Sequence, residues 1–106
     1  MAKRKQRLLG KSMLTLYDQL GDLIRATVDA NRRKELTKQQ DDLWDEIARM
    51  VEDVLDADDE AYTKAAAAMA AAIAAVQDAL KGLKSIVDAV SVAAKAIDLA
   101  SKVLPV

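Results

Sequence analysis

From Tyr62 to Leu104 an apolar side chain returns at alternating spacings of four and three residues: Tyr62, Ala66, Met69, Ile73, Val76, Leu80, Leu83, Val87, Val90, Ala94, Ile97, Ser101 and Leu104. Only Ser101 in that series is polar. A 3.5-residue period sustained this long belongs to helices that meet along a continuous seam, whereas a strand repeats its faces every two residues. Both shoulders of the seam are mostly small, with Ala65, Ala72, Ala79, Ile86, Ala93 and Ala100 on one side and Ala68, Ala75, Gly82, Ala89, Ala96 and Val103 on the other. Such shoulders let neighbouring helices approach closely. The spacing predicts an alanine-rich heptad helix over about 59–104, roughly 65 Å long at about 1.5 Å per residue. An unbroken or merely bent helix is the preferred reading. A fold back near Gly82 to Ser85 is the alternative, since Gly82 has no proline, asparagine or polar cluster beside it.

Two shorter amphipathic helices precede it. Met13, Leu16, Tyr17, Leu20, Leu23, Ile24 and Val28 form one stripe, predicting a helix over about 12–33 that starts at Ser12 and ends in the cations Arg32, Arg33 and Lys34. Thr37 and Gln40 fit a capping box for a second helix over about 38–56, with Leu43, Trp44, Ile47, Met50, Val51, Val54 and Leu55 on its buried side. Asp58, Asp59 and Glu60 are placed to cap the third. The expected fold is all-α: residues 12–106 as a single helical domain, a bundle or coiled-coil oligomer, behind a flexible basic arm at 1–11.

Several chemistries are excluded outright. The 106 residues include no cysteine and no histidine, which removes disulfides, thiolate nucleophiles, imidazole relays and the usual zinc sites. Three separated glycines cannot write a dinucleotide or P-loop phosphate cradle. The run Asp41, Asp42, Asp45, Glu46 resembles the magnesium-binding aspartate motif of helical isoprenoid synthases, but no second aspartate set accompanies it. With Leu43, Trp44 and Ile47 defining the buried side, these four carboxylates read as a solvated face. No enzyme activity and no cofactor are expected. The longest apolar run, Ala65 to Val76, is twelve residues, against about twenty needed to cross a bilayer. No export signal follows the basic start, so a cytoplasmic location is expected.

The function these features support is that of a non-enzymatic, self-associating helical interaction protein, an adaptor, inhibitor or assembly factor acting by protein–protein binding. Its expected oligomer and core seam comprises Met69, Ile73, Val76, Leu80, Leu83, Val87, Val90, Ile97 and Leu104. Trp44 and Tyr62 are candidate partner anchors because aromatic side chains dominate interface energetics. Val92 and Leu99, on the side of the long helix away from the seam, join them as apolar surface that a second copy would cover. Lys3, Arg4, Lys5, Arg7 and Lys11 make a candidate anion-binding arm. No aromatic lies among them to stack on a base, which disfavours nucleic acid. Two alternatives stand beside this reading: a helical oligomer sequestering a small anionic ligand such as a nucleotide, and a membrane-surface or pore-forming protein drawn to anionic lipid.

Overall fold

Two short turns divide the chain into a pair of helical hairpins. The computed structural model describes residues 9–49 and 60–103, which form α1 (Leu9–Ala26), α2 (Ala30–Arg49), α3 (Glu60–Leu80) and α4 (Ile86–Ser101). No strand occurs among them. The sequence calls for α1 to run to Arg33, but it stops seven residues earlier. The Thr27 hydroxyl donates to the Leu23 carbonyl at 2.6 Å and the Thr27 amide to Ile24 at 3.2 Å, satisfying carbonyls that a continuing helix would have used. Asp29 then caps α2, its carboxylate accepting from the amides of Asn31 at 2.8 Å and Arg32 at 3.1 Å. The cations assigned to the end of the first helix therefore open the second. Thr37 is not a cap either; its hydroxyl bonds back to the Arg33 carbonyl in mid-helix. Val28, assigned to the buried stripe, is 96% exposed in the turn.

The predicted long helix is interrupted, and the alternative fold-back is what the structure contains. Gly82 has φ +77°, a left-handed conformation that L side chains adopt only with strain. Its amide donates to Ala79 at 3.1 Å and the Leu83 amide donates to Asp78 at 2.8 Å, the paired bonds of a Schellman termination. Ser85 starts α4, its hydroxyl accepting from the Asp88 amide at 3.1 Å.

The hairpins pack side by side. α1 lies against α2 and α3, and α4 lies against α3 and α2, giving the ring order α1, α2, α4, α3. The Leu9 amide donates to the Tyr62 hydroxyl at 3.1 Å, which sets the start of α1 beside the start of α3. The Gln39 side-chain amide donates to the Val90 carbonyl at 2.7 Å, and residues 42–49 of α2 border residues 94–101 of α4, so those two helices also run parallel. Both turns consequently sit at one end of the bundle, the tip, and the ends of α2 and α4 at the other, the base.

The core is unevenly supplied. α1 contributes Leu9, Met13, Leu16, Leu20 and Leu23, all essentially inaccessible, each stabilising the fold by about 2 kcal/mol. Leu9, Gly10 and Lys11, read as the end of the basic arm, are the first turn of this helix. α3 adds Tyr62, Met69 and Val76, while α4 buries Ala89, Ala93, Ala96 and Ala100. Alanines bury little area, so α4 is held by close approach to α3, the most extensive helix pairing in the molecule. Between α1 and α2, a Cβ on Gly21 would meet the Gln40 side-chain nitrogen at 3.0 Å, and that nitrogen donates to the Tyr17 carbonyl at 3.1 Å.

Candidate functional site

The pairing of α2 with α4 is the least extensive of the ring, and it leaves an open cleft of about 420 Å³. Gln39, Asp42, Asp45, Glu46 and Arg49 line it from α2; Ala94, Ile97, Asp98 and Ser101 line it from α4. Local helix geometry explains this set. Leu36, Gln39, Leu43 and Glu46 recur at spacings of three and four, so they share the face α2 turns inward. Two of the four are polar, and the α2–α4 contact cannot close as a dry seam.

Glu46 is the unusual residue of the cleft. It is 6% exposed, and its Oε1 has no hydrogen-bond partner. Burial raises its carboxyl from the ordinary 4.5 to about 7; Arg49 opposes that shift, and the nearby Asp42 and Asp98 carboxylates reinforce it. The side-chain oxygen of Gln39 is likewise buried and unpartnered. Among the described residues only Gln19 shares this condition, so two of the three such acceptors belong to residues that line this one cleft. Buried acceptors of this kind call for an explanation, because each lacks a protein donor. Among the described residues, no three carboxylates converge as metal ligands would.

The sequence-derived site residues are dispersed. Met69 and Val76 are in the monomer's own core, and Ile73, Val90 and Ile97 pack against or within it. Leu80, Leu83 and Val87 are exposed instead, because the seam passes through the turn and emerges at the tip. In α4 the buried stripe is the alanine series one residue ahead of the expected seam. Tyr62 is no surface anchor; it is buried, with its hydroxyl on Leu9. Val92 and Leu99 are partly covered by the same chain, which the fold-back makes possible. Trp44 is the anchor that stays available, 50% exposed and tilted against Tyr17 with ring centroids 5.2 Å apart. Lys11 is exposed on α1, while Lys3, Arg4, Lys5, Arg7 and Leu104, with Met50, Val51, Val54, Leu55, Asp58 and Asp59, lie outside the described residues. Of the acidic run, Asp41, Asp42 and Asp45 are exposed as expected of a solvated face, but Glu46 is buried. Its spacing of three from Leu43 was the available signal.

No family model matches this chain, and no curated protein or solved structure is significantly similar to it.

Proposed function

We propose that this chain is a non-enzymatic helical interaction protein that self-associates through the outer face of its α1–α2 hairpin. The observation that carries this reading is Trp44, half exposed on Tyr17, with Leu14 exposed one turn before Tyr17 on α1. A tryptophan, a tyrosine and a leucine together on a surface supply the apolar area and rigid anchors that interfaces concentrate. The contact surface thus shifts from the α3–α4 seam, whose Met69, Ile73 and Val76 serve the fold, to the first hairpin. Sedimentation velocity across micromolar concentrations tests it. The mass should rise with concentration, and Leu14→Ser should move that rise at least about tenfold upward, the effect of removing a well-packed aliphatic anchor. A mass constant at the monomer value throughout contradicts the proposal.

One observation favours a second reading. Val28 and Leu83, 96% and 75% exposed, occupy the two turns at the tip, near the cations Arg33, Lys34, Lys81 and Lys84. Apolar turns that carry these four cations against the carboxylates of Asp29 and Asp88 suit an anionic membrane surface. Among the described residues no helix is long and apolar enough to cross a bilayer, so this contact would be superficial. Cosedimentation with anionic vesicles, lost on replacing Val28 and Leu83 by serine, distinguishes it. The nucleotide-sequestering alternative gains no support from the α2–α4 cleft, whose carboxylates repel phosphate.

A further inference from the structure

We propose that α2 is a proton-operated arm: with Glu46 protonated its base half lies closed on α4, and with Glu46 ionised it swings off α4 and uncovers Leu43 and Ile97. The α1–α2 contact stays whole in this motion, so the inference is independent of the contact face on the first hairpin.

A weak joint, a pivot and a buried carboxyl come together here. Of the helix pairings that close the ring, α2 is held by the two least extensive, to α1 and to α4. The Gln40 side chain on the Tyr17 carbonyl and Trp44 against Tyr17 tie it to α1. The Gln39 bond to the Val90 carbonyl ties it to α4; among the described residues no other hydrogen bond and no ion pair joins these two helices. That bond and the turn before α2, where Val28 is 96% exposed, lie toward the tip, so the base end is free to move furthest. Past Gln39 the inward residues of α2 are Leu43 and Glu46, and Glu46 is buried with no donor to its Oε1. A neutral carboxyl tolerates that position, whereas a carboxylate there gives up its hydration with no partner in exchange. The charged groups around it are Asp42, Asp45 and Arg49 on α2 and Asp98 on α4. Asp42 is paired with Lys38 at 3.0 Å and Asp98 with Lys102 at 3.4 Å, each within its own helix, so neither pair bridges the joint. The buried faces of α1 and α3 bring no charge, and their Tyr62 is engaged on Leu9. Burial raises the Glu46 carboxyl to about 7, against the ordinary 4.5 that it regains in water. The closed form therefore binds the proton more tightly than the open form. Closure is fully favoured below about 4.5 and is lost as pH rises through about 7.

Pulsed electron resonance on the full chain tests this with nitroxides at exposed positions. One pair, Ala48→Cys with Lys95→Cys, spans α2 and α4; a reference pair, Ala70→Cys with Lys95→Cys, spans α3 and α4. Labelled chains are diluted into unlabelled ones so that only distances within a chain are read. From pH 5 to pH 8 the α2–α4 separation should lengthen by at least about 5 Å, half an interhelical spacing, while the α3–α4 separation stays constant. Glu46→Gln, neutral at both values, should hold the α2–α4 pair at its pH 5 distance throughout, and Glu46→Met, of similar length and apolar, should do the same. An α2–α4 separation that does not change with pH overturns the proposal. So does a change that persists in Glu46→Gln and Glu46→Met. Lengthening of both label pairs together overturns it as well, since that is loss of the whole fold and not movement of α2.

Discussion

At the scale of single residues, Glu46 is a carboxyl that the fold buries without a hydrogen-bond donor to its Oε1. A carboxyl that titrates near 4.5 when unfolded and about 7 when folded binds a proton more readily in the native state. Between those values the native chain holds more protons than the unfolded chain, so stability falls as pH rises through that window. The decline should amount to about 2 kcal/mol, and Glu46→Gln should abolish it while raising stability at pH 8. Chemical denaturation at pH 5 and pH 8 checks both; equal pH dependence in wild type and variant contradicts the burial argument. Arg49, which opposes the shift, and Asp42 and Asp98, which reinforce it, are unchanged in that comparison. Glu46 was legible only in part. Its distance from Leu43 and Leu36 places it inward, but four neighbouring carboxylates read together as a solvated face, and charge outweighed register in that reading.

At the scale of elements, the helices were legible and their ends were not. Asp29 followed by Ala30, and Ser85 followed three residues on by Asp88, are ordinary start signals, and Gly82 sits where a Schellman stop requires it. A continuous apolar period obscured them. Leu80, Leu83 and Val87 keep the heptad phase through the turn, although the turn exposes all three. Beyond it the true inward face is Ala89, Ala93, Ala96 and Ala100, whose methyl groups carry little weight in a pattern beside Val90 and Ile97. Gly82→Ala should cost about 1 kcal/mol, the strain of a left-handed Cβ, because nothing lies within 4 Å of the position to clash. A neutral result in thermal denaturation would refute the turn geometry. Ala93→Leu should cost at least about 1–3 kcal/mol by overpacking the α3–α4 contact. Ala70→Leu, at an exposed position of α3, should be within about 0.5 kcal/mol of wild type.

At the scale of the whole molecule, the fold-back changes what the chain leaves for others. An unbroken third helix would carry a bare seam and demand a second copy. The hairpin covers Met69, Val76 and most of the apolar circumference of α4 internally, leaving the Leu14–Tyr17–Trp44 surface, the apolar tip and the acidic cleft. The all-helical class followed from composition and period, but the choice between one helix and two rested on a single glycine and a single serine. The direct test places nitroxide labels at Lys64→Cys and Lys102→Cys, in a chain with no native cysteine, and measures their separation by pulsed electron resonance. In the hairpin both positions line one groove at the base, with Leu99 and Glu60, so the labels should lie about one interhelical spacing of 8–10 Å apart, extended by their linkers. A separation near 57 Å, the span of 38 residues in one helix at about 1.5 Å per residue, would contradict the hairpin and the cleft that depends on it.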